Sequence, residues 1–192
     1  MSRAGFVLVG GASSRMGRDK ALLPFRGATL VEHVAAEVER AAGSVRLVGA
    51  PERYRHLPYA VVPDRRPGYG PLGGVETALL ESQARWNLVV ACDMPAVTAA
   101  FLGSLLEAAE GNGFQCLVPV AASGRPEPLC AVYERGCLAA VSALLDRGVR
   151  KMTDALAALQ AGQWKVPEEA WFENLNTPEA WANHAKAPRE GR

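Results

Sequence analysis

The sequence has no apolar run long enough to cross a bilayer, which would take about 18 residues. The stretch LVVAC (88–92) meets Asp93, and AAVSALL (139–145) is short. The N-terminal run 4–9 is also too short for a secretory signal and is followed at once by glycine. We therefore expect a cytoplasmic protein that does not enter a membrane.

Excess charge and paired cysteines are also lacking. The chain has 21 Lys and Arg against 20 Asp and Glu, a net charge of +1, which gives no general attraction for nucleic acid or anionic lipid. The four cysteines form no C-x-x-C pair of the kind that zinc and redox sites use. Because each lies in or beside an apolar run, we expect four buried thiols in a reducing cytosol: Cys92, Cys116, Cys130 and Cys137.

What the sequence does contain is an alternation of short apolar strands and amphipathic helices. Strands are predicted at 5–9, 45–49, 59–63, 87–95, 116–121 and 128–133, and helices at 29–42, 73–84, 99–109, 135–147 and 151–161. This pattern indicates a doubly wound, mainly parallel α/β sheet, Rossmann-like, with helices on both faces in three αβα layers. We expect one domain over residues 1–185 and a disordered tail at 186–192.

The turn after the first strand, within VLVGGASSRMGRDKALL (7–23), has the composition of an anion site. Gly10 and Gly11 let backbone N–H groups approach a ligand with no Cβ in the way. Arg15 and Lys20 add cationic donors that can neutralise a polyphosphate. The spacing fits neither the Walker motif nor G-x-G-x-x-G, and a tight connection with solvated arginines is the alternative.

Two carboxylates follow predicted strands and should lie at the same sheet edge, where ligands bind in such folds. Asp93 ends an apolar strand, so it needs a cationic partner, and Mg²⁺ bridging substrate phosphates is the expected one. Its alternative role is a turn or N-cap before Pro95. Asp64 could equally be a turn residue, and the loop 70–74 (GPLGG) fits either packing over a base or starting a helix.

The stretch GGASSRMGRDKALL (10–23) resembles the signature of nucleotidyltransferases with a GT-A-like fold. Its double glycine is most similar to molybdenum cofactor guanylyltransferases of the MobA type. The resemblance continues, in order along the chain, through GPLGGVETAL (70–79), ACDMP (91–95), RPEPLCAVY (125–133) and ENLNTPE (173–179).

The resemblance implies transfer of GMP from GTP to molybdenum-loaded molybdopterin with release of pyrophosphate, using Mg²⁺. Molybdoenzymes or their chaperones are the implied protein partners. The implied catalytic residues are Arg15, Lys20 and Asp93, with Asp93 also the metal ligand. The implied nucleotide-binding residues are Leu8, Val9, Gly10, Gly11, Arg15, Lys20, Gly49, Asp64, Gly73 and Asp93. The implied acceptor-binding residues are Arg125, Pro128, Asn174 and Asn176.

Two positions depart from the family pattern, and other functions stay open. Val9 replaces the usual Ala, and Gly49 replaces an Asn that is often present, which removes a side-chain contact to the nucleotide. Arg125 could instead be a solvated hairpin residue, and one asparagine of ENLNTPE could brace a turn. The alternative functions are a CTP-dependent molybdopterin cytidylyltransferase, another NTP-dependent nucleotidyltransferase, or a non-catalytic nucleotide-binding module.

Overall fold

The computed structural model describes residues 2–10, 19–168, 170–172 and 175. The strands are β1 (Arg3–Leu8), β2 (Pro24–Phe25), β3 (Ala28–Thr29), β4 (Val45–Val48), β5 (Ala60–Val62), β6 (Trp86–Ala91), β7 (Cys116–Val120), β8 (Cys130–Glu134) and β9 (Gly162–Lys165). The α-helices are α1 (Leu30–Ala42), α2 (Pro51–Tyr54), α3 (Pro71–Glu81), α4 (Ala99–Asn112), α5 (Leu138–Asp146) and α6 (Met152–Ala158). Short 3₁₀ helices lie at Lys20–Leu22, Arg135–Cys137 and Ala170–Phe172.

The large sheet has the strand order β5-β4-β1-β6-β8-β7-β9. Its described strands pair in parallel, except that β8 runs antiparallel to β6 and β7. From β1 the chain moves outward through β4 and β5, then returns to β6 on the other side of β1. The carboxyl ends of β1 and β6, where Leu8 lies beside Ala91, therefore flank the crevice in which doubly wound sheets bind ligands.

Helices cover both faces of this sheet, as predicted. On one face α1 and α4 bury side chains such as Val34 and Leu102. On the other face α3, α5 and α6 bury Leu79, Val141 and Ala155. Successive strand residues point to opposite faces, and each fully buried aliphatic side chain contributes roughly 1.5–3 kcal/mol. Two cores thus hold the strand ends in fixed register.

Local signals in the sequence set several helix ends. Thr29 begins α1 with a capping box, since its hydroxyl accepts from the Glu32 N–H and the Glu32 carboxylate accepts from the Thr29 N–H at 2.8 Å. Gly43 ends the helix with a left-handed φ of 79°. Thr98 caps α4, as its position in the sequence predicted.

The sequence patterns did not predict β9, the short helix α2, the β2–β3 hairpin or the 3₁₀ helices Lys20–Leu22 and Ala170–Phe172. The sequence of β9, GQWK, has little apolar character, because it is an edge strand paired on one side with β7. All four cysteines are buried and free, as expected. In the part of the chain described above, no helix combines the length and apolar character needed to span a membrane.

Candidate functional site

A cavity of about 550 Å³ opens at the carboxyl edge of the sheet, over the crevice between β1 and β6. Its walls come from strand ends, from the loop before α3 and from the first turn of α3. The lining residues are Leu8, Val9, Gly10, Lys20, Val48, Asp64, Gly68, Gly70, Pro71, Gly74, Ala91, Cys92, Asp93 and Leu129. Six of the predicted nucleotide-binding residues therefore line one cavity: Leu8, Val9, Gly10, Lys20, Asp64 and Asp93.

Gly10 forms the start of the turn that leaves β1. Its φ is 99°, in the left-handed region that disfavours residues with a side chain. The preceding residue, Val9, is fixed by a 2.9 Å hydrogen bond from its N–H to the carbonyl oxygen of Val48. The backbone at Gly10 is thus anchored to the sheet and lines the cavity without a side chain.

Lys20 and Asp93 form an ion pair in the cavity wall. The Lys20 ammonium donates to Oδ2 of Asp93 at 2.6 Å, and each side chain is 19% exposed. Asp93 follows β6, while Lys20 begins the 3₁₀ helix Lys20–Leu22. The sequence predicted a cationic partner for Asp93, because this carboxylate follows an apolar strand, and Lys20 is such a partner.

Cys92 lines the same cavity beside Asp93 but is not a nucleophile. Its N–H donates to the carbonyl oxygen of Leu8 at 3.2 Å, which ties the end of β6 to β1. Burial raises the pKa of the Cys92 thiol to about 12. A thiol with so high a pKa is protonated at neutral pH, and the thiolate is the reactive form.

Asp64 closes a turn at the opposite wall of the cavity. Its Oδ1 accepts from the N–H of Arg66 at 2.9 Å and from the hydroxyl of buried Thr77 at 3.3 Å. Thr77 also accepts from the N–H of Arg65 at 2.9 Å. Asp64 therefore stabilises a turn, which is one of the two roles that the sequence left open, and it also lines the cavity.

The first turn of α3 presents the positive end of the helix dipole to the cavity. Pro71 stands at its first position and Gly74 lies against Leu8, where a Cβ would come within 3.0 Å of the leucine side chain. Helix N-termini of this kind favour anions. Gly68, Gly70 and Gly74 line the cavity. The predicted residue Gly73 is not among the lining residues and packs against Arg66 and Tyr69.

Three other predicted residues lie away from the cavity lining. Gly49 packs against β1, and a Cβ there would stand 2.6 Å from the carbonyl oxygen of Val9. Arg125 is largely exposed and pairs with buried Glu127, while the carbonyl of Pro128 accepts from the Tyr133 hydroxyl at 2.9 Å. The residue of this segment that lines the cavity is Leu129.

Four predicted residues lie outside the described part of the chain: Gly11, Arg15, Asn174 and Asn176. Leu175, between the two asparagines in the sequence, is described and fully buried. Its N–H donates to the carbonyl oxygen of Asp93 at 3.1 Å. One residue of the ENLNTPE segment is thus hydrogen-bonded to the candidate metal ligand.

The donor set of the cavity fits a hard divalent cation that prefers oxygen ligands. Asp93 supplies a hard carboxylate, and the described residues contain no cluster of three or more histidine, cysteine or acidic side chains. Mg²⁺ commonly uses one or two protein carboxylates and takes its remaining ligands from substrate phosphates and water. The arrangement therefore suits a hard divalent cation that arrives with a nucleotide rather than a metal held by the protein alone.

Comparisons with known proteins agree with this geometry. A family model described as the MobA-like NTP transferase domain matches residues 5–161. The chain is similar to a probable molybdenum cofactor guanylyltransferase of Opitutus terrae (40% identity, 92% of this chain and 91% of the relative). It is also similar to the molybdenum cofactor guanylyltransferase of Xanthomonas euvesicatoria (35%, 93% and 92%).

A solved structure shows the same fold. The crystal structure of molybdopterin-guanine dinucleotide biosynthesis protein A from Archaeoglobus fulgidus superimposes with a TM-score of 0.82 at 26% identity. The similarity covers 95% of this chain and 96% of the other. The β-strand arrangement described above is therefore shared with a protein of related sequence.

Proposed function

Because this chain belongs to the MobA-like NTP transferase family, we propose that it is a molybdenum cofactor guanylyltransferase. It transfers GMP from GTP to the terminal phosphate of molybdenum-loaded molybdopterin and releases pyrophosphate. The observation that carries this proposal is the Lys20–Asp93 pair in a cavity that also contains Gly10 and the first turn of α3. These are the groups that a nucleoside triphosphate requires: anion-binding backbone, a cation and a carboxylate for a metal.

The reaction needs charge neutralisation rather than a general base. An oxygen of the acceptor phosphate attacks the α-phosphorus of GTP, a new P–O bond forms, and the bond to the leaving pyrophosphate breaks. The acceptor oxygen is already anionic, so no proton has to be removed. Lys20 neutralises charge that develops on the phosphates, and the backbone at Gly10 positions the triphosphate in the same cavity. The predicted partner cation is Arg15.

Asp93 is the proposed ligand for Mg²⁺. When bound, the ion would polarise the α-phosphoryl group and offset the charge of the pyrophosphate. Asp93 is paired with Lys20, and we propose that the two groups separate when Asp93 takes the metal and Lys20 contacts the triphosphate. Lys20 exchanges one carboxylate for phosphate oxygens, and its charge remains compensated throughout.

Guanine is the proposed base. Leu8, Val9 and Gly10 line the cavity at the end of β1, and backbone N–H and carbonyl groups there can hydrogen-bond the edge of a purine. Gly49 cannot provide the side-chain contact of the Asn often found at its position. Recognition of the nucleotide near position 49 therefore depends on backbone groups.

The acceptor is proposed to enter from the side of the ENLNTPE segment and of Arg125. The hydrogen bond from the Leu175 N–H to the Asp93 carbonyl oxygen brings the main chain at Leu175 next to Asp93, which follows β6. Asn174 and Asn176 are the proposed acceptor-binding amides, while exposed Arg125 and Pro128 would border the molybdopterin. We propose that the reaction takes place in the cytoplasm and that molybdoenzymes or their chaperones receive the product.

A nucleotide panel tests the function. Thermal unfolding is followed with GTP, CTP, ATP or UTP in the presence of Mg²⁺, and turnover is measured as pyrophosphate release with molybdenum-loaded molybdopterin. We expect the largest stabilisation with GTP and pyrophosphate release that depends on the acceptor. Preference for CTP would identify a cytidylyltransferase, and nucleotide binding without turnover would identify a binding module, so either result would overturn the proposal.

A further inference from the structure

The position of Lys20 is set by the residue before it. Asp19 is the N-cap of the 3₁₀ helix Lys20–Leu22, and its Oδ1 accepts from the N–H of Ala21 at 3.2 Å. The Asp19 carbonyl oxygen also accepts from the N–H of Leu22 at 3.1 Å. The backbone from which the Lys20 side chain extends is thus held by Asp19 on both sides of the turn.

The other carboxylate oxygen of Asp19 is held by α2. Oδ2 accepts from the hydroxyl of Tyr54 at 2.7 Å and lies 2.8 Å from Nη2 of Arg53. The Asp19 side chain is 11% exposed, and Tyr54 is fully buried in the core on the α1 side of the sheet. Because α2 follows β4, the contact links the 3₁₀ turn to the central sheet.

This contact has an electrostatic consequence for Lys20. Asp19 is a carboxylate adjacent in sequence to the Lys20 ammonium, and an unheld carboxylate there would compete with Asp93 and with phosphate for that ammonium. The Tyr54 hydroxyl and the Arg53 guanidinium of α2 bind Oδ2 of Asp19, so Asp19 does not compete for the Lys20 ammonium. Burial and the bond to Asp19 raise the pKa of the Tyr54 phenol well above its usual range, so it remains a donor at working pH.

We propose that Tyr54 is a positioning residue for nucleotidyl transfer, which acts through Asp19 on Lys20. The inference rests on the proposed function, in which Lys20 stabilises charge on the triphosphate. Tyr54 is not among the described residues that line the cavity, so the proposed effect acts through the direction in which Lys20 is presented.

A double-mutant cycle tests this proposal. Tyr54→Phe removes one hydroxyl from a buried site and is expected to lower kcat about tenfold, with KM for GTP changed less than about twofold. In a Lys20→Ala background the same change should lower kcat by less than about twofold, because the group on which it acts is gone. An unchanged kcat in Tyr54→Phe, or an equal loss in both backgrounds, would overturn the proposal.

A control variant and a replacement variant complete the double-mutant cycle. Tyr59→Phe is the matched control, since the Tyr59 hydroxyl donates to the carbonyl oxygen of Glu32 at 3.4 Å and Tyr59 does not line the cavity. It should retain wild-type kcat. If Tyr54→Phe proves poorly folded, Asp19→Asn replaces it in the same cycle with the same expected outcomes.

A spectroscopic readout is independent of turnover. In protein labelled with ¹⁵N-lysine, the hydrogen-bonded Lys20 ammonium should give an NMR signal that Lys20→Ala removes. Tyr54→Phe should broaden or shift this signal and Tyr59→Phe should not; an unchanged signal in Tyr54→Phe contradicts the inference. A wild-type protein that forms no guanine dinucleotide would refute the proposed function, while the ammonium signal would still decide the role of Tyr54.

Discussion

The Lys20 ammonium lies 2.6 Å from Oδ2 of Asp93, although the two residues are 73 positions apart. The pair forms where β1 and β6 end side by side, at the reversal of strand order. The cation and the carboxylate offset each other's charge. A hydrogen-bonded ion pair of this exposure stabilises by about 1–2 kcal/mol, which several phosphate contacts can offset.

Removal of either member of this pair should suppress catalysis without unfolding the protein. We expect Asp93→Asn and Lys20→Ala each to lower kcat by about 100-fold or more, because each loses charge stabilisation in the transition state. Asp146→Asn is the control, since Asp146 is an exposed carboxylate that pairs with Arg66. Steady-state kinetics beside thermal unfolding measures both effects. A folded Asp93→Asn enzyme with wild-type kcat would contradict this role.

Removal of the metal should weaken GTP binding and so remove most of the stabilisation that GTP gives. Saturation at about 100 times Kd stabilises a protein by about 2.7 kcal/mol. We expect a rise in Tm with GTP and Mg²⁺ that EDTA largely removes. In Asp93→Asn the Tm with GTP should be nearly the same with and without EDTA, because the proposed metal ligand is absent. Full sensitivity to EDTA in that variant would place the metal elsewhere.

A side chain at position 49 should destabilise the sheet. We expect Gly49→Ala to lower the free energy of unfolding by about 1–3 kcal/mol, because its Cβ would stand 2.6 Å from the carbonyl oxygen of Val9, which follows β1. Gly103→Ala is the matched control: no atom lies within 4 Å of its added Cβ, and alanine within α4 should stabilise by about 0.5–1 kcal/mol. Urea unfolding of both variants measures the difference, and equal stabilities would argue against close packing at Gly49.

Acidification should destabilise the protein through His33. Burial lowers the pKa of His33 below 6.5, more than the bond between its ring Nε2 and the Pro95 carbonyl raises it. As pH falls below 6.5 the unfolded chain takes up a proton before the folded protein does, so the free energy of unfolding decreases. The stabilisation is complete above pH 6.5 and is lost as pH falls through the folded pKa.

Thermal unfolding at about pH 7.5 and about pH 5.5 measures this effect, since histidine titrates in that range. His33→Gln should reduce the fall in Tm between these two conditions. Gly103→Ala leaves every histidine in place and should leave the fall unchanged. A fall in Tm that is identical in all three proteins would show that other groups cause it.

Much of the fold could be predicted from the sequence because its signals are local. The apolar runs that became β1, β4 and β6 and the caps Thr29 and Thr98 act within a few residues of themselves. The same reasoning placed Asp64 and Asp93 at one edge, since parallel strands end together. Edge strand β9 lacked this signal, because half of its pairing and burial is missing.

The parts of the site that were missed depend on contacts between distant segments. The link between Asp19 and Tyr54 joins residues 35 positions apart and leaves no periodic pattern. The choice between Gly73 and Gly74 depends on how α3 is rotated against Leu8, which composition does not specify. The close packing at Gly49 was also missed, because a Cβ there would lie 2.6 Å from the carbonyl oxygen of Val9, forty positions away in the sequence; its nucleotide-binding role stays a prediction of the family resemblance.

A crystal structure of the protein with GTP and Mg²⁺ shows directly where the triphosphate and the metal bind. We expect the triphosphate beside Gly10 and Lys20, the metal on Asp93, and the Lys20–Asp93 hydrogen bond replaced by contacts to phosphate. A triphosphate bound elsewhere, with Lys20 still paired to Asp93 and no metal beside it, would refute the proposed site.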